Sequence, residues 1–78
     1  MDFSGSHILS IDQFDRSDIN HLFSVAESLE PYSLRKKVTR VLEGAILGNM
    51  FFEPSTRTRI SFGAAFNLLG GAVRETSE

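Results

Sequence analysis

Hydrophobic and polar positions fall into three successive patterns along these 78 residues, and each predicts a different element. From Asp15 onward, Ile19, Leu22, Phe23, Ala26 and Leu29 recur at i, i+3, i+4, i+7 and i+10, a single apolar stripe of helical period. Asp15 stands where an N-cap oxygen would accept from the first turn, and Asp18 adds an acid at the dipole's positive end. Together they predict a helix from about Arg16 to Leu29 that stops before Pro31. The second pattern, Gly44-Ala45-Ile46-Leu47-Gly48-Asn49-Met50-Phe51-Phe52, is apolar without alternation, which predicts a strand covered on both faces, as in a parallel sheet. Pro54 lacks an N–H and biases Glu53 to an extended conformation, so this strand should end at about Glu53. The third pattern runs from Ser55 to Gly71, with a hydroxyl at the N-cap and glycine at C′, and predicts a helix. Ala72-Val73-Arg74-Glu75 then opens a second strand.

The predicted fold class is therefore α/β: an N-terminal helix followed by a βαβ unit, the start of a parallel sheet whose crossover is right-handed. That unit is incomplete by itself. Ile60, Phe62, Ala65, Phe66, Leu68 and Leu69 cover more than one face of the central helix, and two strands leave open edges, so half a core is missing. Residues 1–6 are small and polar apart from Phe3 and read as loose; Ile8 to Ile11 reads as a short extended piece, with His7 as a surface or capping histidine. Tyr32 to Glu43 is a connector, in which Val38, Val41 and Leu42 should pack onto the sheet while Arg35, Lys36, Lys37 and Arg40 form a solvated basic face.

Composition narrows the function classes. A chain of this length makes at most one small domain, whose core rarely supplies more than about 3–5 kcal/mol. Cysteine is absent, which removes disulfide and thiolate chemistry. A net charge of −2 with interspersed signs argues against a nucleic-acid surface. No apolar run approaches a membrane span, and no signal peptide is evident, so a cytoplasmic protein is the expectation.

The candidate chemistry lies at the strand-to-helix junction, Phe51-Phe52-Glu53-Pro54-Ser55-Thr56-Arg57-Thr58-Arg59. A helix start offers backbone N–H groups without intrahelical partners and partial positive charge. Here it also carries the hydroxyls of Ser55, Thr56 and Thr58 and the guanidinium groups of Arg57 and Arg59. Cations oppose the dipole at a helix start by about 0.3–1 kcal/mol each, a sign that a bound dianion would reverse. Hydroxyls and N–H groups each meet one phosphate oxygen, and a guanidinium grips two. The alternative is an ordinary N-cap beside solvated arginines.

The run from Phe51 to Phe62 resembles the carbamoyl-phosphate signature of the aspartate/ornithine carbamoyltransferase family, on the side of its aspartate-specific catalytic chains. Glu53 sits where ornithine enzymes usually carry Lys, which favours the aspartate branch; the segments at His7–Asp12 and Leu69–Gly71 are also similar. The resemblance covers about His7 to the end and corresponds to the N-terminal quarter of such proteins. It implies a partial carbamoyl-phosphate-binding domain over residues 1–78, with the aspartate-binding domain absent. The implied reaction of the intact enzyme is carbamoyl transfer from carbamoyl phosphate to L-aspartate, in pyrimidine biosynthesis, without metal or organic cofactor. The implied partners are these substrates and two further copies in a homotrimer, sometimes with regulatory or dihydroorotase-like chains, and neither nucleic acid nor membrane. By position, Ser55, Thr56, Arg57 and Thr58 would bind carbamoyl phosphate, with Arg57 and Thr58 catalytic and Glu53 a domain-closure contact. Arg59 would be structural, paired with a neighbouring acid. One departure is Gly63, where many relatives read Glu after Ser-Phe; it would be a close-packing point or a subfamily habit. These residues alone would be inactive. A non-catalytic truncated paralogue that binds anions or assembles with full-length subunits is the other reading, and an ornithine enzyme is a third.

Overall fold

A computed structural model describes residues 1–52 and 55–77. The chain divides into two compact units, Met1–Glu30 and Pro31–Glu78.

In the first unit, a 3₁₀ turn at Ile11–Gln13 precedes helix α1, Arg16–Ser33, whose last residues belong to the second unit. Ser10 and Gln13 form a capping box around the 3₁₀ turn, and Gln13 also holds the His7 carbonyl at 2.9 Å. The start of α1 is a reciprocal pair of carboxylates. Asp18 N–H donates to Asp15 Oδ1 at 2.8 Å, and Asp15 N–H donates to Asp18 Oδ2 at 2.9 Å. Asp18 is buried, and the Met1 amino group lies 3.0 Å from its other oxygen. The Asp15 N–H, followed by the Met1 ammonium, holds the Asp18 carboxyl below the usual carboxylate range.

Three expectations change along residues 1–36. The segment 1–6 is not loose throughout: Ser6 N–H closes a turn onto the Phe3 carbonyl, and the Phe3 ring stacks on Phe14 and His21 at 5.9 and 5.7 Å. Ile11 belongs to the 3₁₀ turn rather than to an extended piece. α1 also passes through Pro31 to Ser33. Pro31 sits in the last turn, where its missing N–H removes one bond only, and the helix closes two residues beyond it. Arg35, in the left-handed region at φ 61, donates its N–H to the Tyr32 carbonyl, and Lys36 N–H donates to Pro31, the paired bonds of a Schellman motif.

The second unit is the βαβ motif. β1 (Ile46–Phe51) and β2 (Ala72–Ser77) pair in parallel, in a register that sets Ile46 beside Ala72 and Asn49 beside Glu75. Helix α2 (Thr56–Leu68) crosses between them and packs on both strands. β1 begins later than the apolar run because the backbone of residues 40–45 is already used in turns: Glu43 N–H bonds the Arg40 carbonyl, and Ala45 N–H bonds the Leu42 carbonyl. The expected termination near Glu53 lies outside the described residues. α2 ends as predicted, with Gly70 at C′ (φ 97), Gly70 N–H on the Asn67 carbonyl and Gly71 N–H on Phe66.

The expectation that β1 is covered on both faces is not met within this chain. Ile46 and Met50 are more than half exposed, Ile60 and Phe62 of α2 likewise, and no apolar side chain is buried among the described residues. Two strands and one helix cannot enclose a core, which is the missing half that the sequence predicted. Val38 and Val41 are exposed rather than packed on the sheet; of that trio only Leu42 is half-buried, tied by its N–H to the Leu69 carbonyl at 2.8 Å. The basic residues of the connector are exposed, as expected.

Gly63 is the buried residue of α2. A Cβ added there would stand 3.6 Å from Asn49 Nδ2 and Glu75 Oε1, ordinary contact distances. Gly63→Ala is therefore expected to stabilise the protein by about 0.4–1 kcal/mol, through lower unfolded-chain entropy and better helix propensity. Urea denaturation would register it as a higher midpoint at unchanged slope.

Candidate functional site

The described junction residues, Phe51 and 55–59, fall where the sequence placed them, at the C-terminal end of β1 and the start of α2. Ser55 is the N-cap of α2, and its carbonyl accepts the first helical bond, from Arg59 N–H, at 2.8 Å. The N–H groups of Thr56, Arg57 and Thr58 therefore precede the first intrahelical bond and have no acceptor within the helix. Thr56, Arg57 and Thr58 are exposed and Ser55 is half-buried. The Ser55 hydroxyl makes no cap hydrogen bond, unlike the ordinary N-cap of the alternative reading. No acid occupies the first turn. Glu53, the expected domain-closure contact, lies outside the described residues.

The two arginines divide. Arg59 Nη1 donates to Glu75 Oε2 at 2.6 Å, so the expected neighbouring acid is Glu75, on β2. Arg57 enters no salt bridge among the described residues. The structure thus sets three N–H donors, three hydroxyl side chains and a guanidinium with no ion-pair partner among the described residues at the start of a helix that follows a parallel strand. Dipole, donors and charge all favour an anion there.

One polar group was missed by sequence reasoning. Asn49 in β1 is 4% exposed, and its Nδ2 donates to the Arg59 carbonyl at 2.9 Å and reaches Glu75 Oε1 at 3.4 Å. The available signal was a lone amide inside an otherwise apolar run.

This arrangement defines an α/β unit of the kind that seats phosphate-bearing ligands at a helix start after a strand. A family model described as "Aspartate/ornithine carbamoyltransferase, carbamoyl-P binding domain" matches residues 6–78, and the chain belongs to that family. It is 78% identical over 77 residues to an aspartate carbamoyltransferase catalytic subunit of Saccharophagus degradans and 77% identical to that of Cellvibrio japonicus, in each case across 99% of this chain. The catalytic subunit of Archaeoglobus fulgidus is 54% identical over 86% of this chain. The chain spans about 23% of the length of the first two relatives and 22% of the third. No helix among the described residues is long and apolar enough to cross a membrane.

Proposed function

We propose that these residues are part of the carbamoyl-phosphate-binding domain of an aspartate carbamoyltransferase catalytic subunit, a cytoplasmic enzyme of pyrimidine biosynthesis. The intact protein transfers the carbamoyl group of carbamoyl phosphate to the amino group of L-aspartate, giving N-carbamoyl-L-aspartate and phosphate. The observation that carries this reading is the first turn of α2, with N–H groups that precede the first helical bond and an Arg57 that has no ion-pair partner among the described residues, in a chain 78% identical to a catalytic subunit of that name.

In this proposal the amine of aspartate attacks the carbamoyl carbon. Negative charge grows on the carbonyl oxygen as the C–N bond forms, then on the phosphate as the C–O bond breaks, and the departing phosphate takes up the proton that the attacking amine loses. Thr58 meets the first charge. Ser55, Thr56 and Arg57 meet the second, with Arg57 neutralising the leaving group. Donors fixed before the reaction at those places stabilise the transition state more than the ground state. Glu53 joins arginines of the aspartate-binding domain on closure. That domain lies outside residues 1–78, and the assembly is a homotrimer, to which regulatory or dihydroorotase-like chains attach in some members.

The test is an assay of the intact subunit with carbamoyl phosphate and either L-aspartate or L-ornithine. Product and phosphate are expected with aspartate alone. Turnover of ornithine instead would move the protein to the other branch, and phosphate binding without turnover of either would make it a non-catalytic relative.

A further inference from the structure

We infer that Asn49 and Glu75 are positioning residues for the carbamoyl-phosphate turn, acting through Arg59, and this inference rests on the function proposed above. The first turn of α2 is weak by its own composition. Its N-cap hydroxyl makes no cap bond, it carries no acid, and Arg57 and Arg59 both oppose the dipole. Something outside the helix must hold it.

Arg59 is where the holding groups converge. Its N–H closes the turn onto the Ser55 carbonyl at 2.8 Å. Its carbonyl accepts from Asn49 Nδ2 at 2.9 Å, and its guanidinium donates to Glu75 at 2.6 Å. Asn49 and Glu75 are register partners on the two strands, so one residue of the helix is tied to both. A buried amide at the middle of a strand is costly unless bonded, and Asn49 satisfies its amide on the helix backbone rather than on a ligand. Glu75 also removes the Arg59 charge from the anion's reach, so that Arg57 alone answers the ligand.

Gly63 borders the network and leaves room for a side chain. It lies one turn after Arg59, and a Cβ added there would stand 3.6 Å from Asn49 Nδ2 and Glu75 Oε1, beside a cavity of about 240 Å³ lined also by Ile60, Ala64, Asn67 and Val73. A carboxylate carried on position 63 would meet Arg59 from the same side, at i,i+4 along the helix.

The experiment uses the intact subunit with Asn49→Ala, Glu75→Gln, Glu75→Ala and the double variant Glu75→Ala/Gly63→Glu. The readouts are KM for each substrate and the rise of thermal midpoint with inorganic phosphate. Loosening the turn is expected to raise KM for carbamoyl phosphate about tenfold or more, since small misplacements of binding groups are costly, while KM for aspartate at saturating carbamoyl phosphate changes less than twofold. The phosphate-dependent rise should shrink in parallel, and the double variant should recover most of both. A lower midpoint with carbamoyl-phosphate KM and phosphate response both unchanged would overturn the inference. If Asn49→Ala fails to fold, Glu75→Gln, of equal size, decides alone. An unmodified subunit that turns over neither amino acid would refute the proposed function, and the phosphate titration would still decide the positioning.

Discussion

Arg57→Ala is expected to lower kcat of the intact subunit by about 10²–10³-fold, the range for removing a donor aimed at developing charge. The expectation follows from the division of the two arginines. Arg59 is committed to Glu75 at 2.6 Å, whereas Arg57 is exposed and enters no salt bridge among the described residues. A guanidinium held at the positive end of a helix without compensation is destabilising until an anion arrives. Its removal should therefore leave the free protein as stable as before, or slightly more so, while the departing phosphate loses its counter-charge. Arg57→Lys keeps a charge but loses the planar fork, so it should recover only part of the rate. A loss below threefold for Arg57→Ala, with the enzyme otherwise active, would place the phosphate site elsewhere.

What could be read from the sequence was whatever depends on neighbours along the chain. Asp15 and Asp18, and Gly70 with Gly71, mark helix ends because the groups they serve lie within a turn of them. The covering of β1 could be anticipated only as a requirement. Its non-alternating residues call for two covered faces, and the second unit supplies only α2 and one neighbouring strand, so Ile46 and Met50 remain exposed. Pro31 misled because a proline reads as a stop, while in the last turn of α1 it forfeits a single bond. Asn49 stood out only as a lone amide in an apolar run, and its partners were not legible. Its acceptor is a backbone carbonyl ten residues on, and its neighbour Glu75 is 26 residues away, beside it only once the strands have paired. Arg59 could be assigned an acid in general, but the particular one depends on the same register.

Gly70→Ala is expected to destabilise the protein by more than about 3 kcal/mol, because two costs fall on one residue. At φ 97 a side chain clashes with its own backbone, which is worth about 1–2 kcal/mol. A Cβ there would also lie 2.6 Å from Arg40 Cα, backbone that cannot rotate away. Relief requires the connector to move from the end of α2, and that movement strains the bond from Leu42 N–H to the Leu69 carbonyl at 2.8 Å and, just beyond, the one from Ala72 N–H to Ala45 at 3.0 Å. Those two bonds lead into β1 and β2, so the strain reaches the strand pair on which α2 is set. Gly70→Asn separates the causes: asparagine tolerates a left-handed backbone, so it should be nearly neutral if the dihedral alone matters and almost as damaging as alanine if the Arg40 approach dominates. Gly71→Ala meets the Phe66 ring instead, a side chain, so Phe66→Leu should rescue it and should not rescue Gly70→Ala. Urea denaturation of the intact subunit and its variants measures each of these, and equal rescue of both glycine variants by Phe66→Leu would show that the approach to Arg40 is not what fixes Gly70.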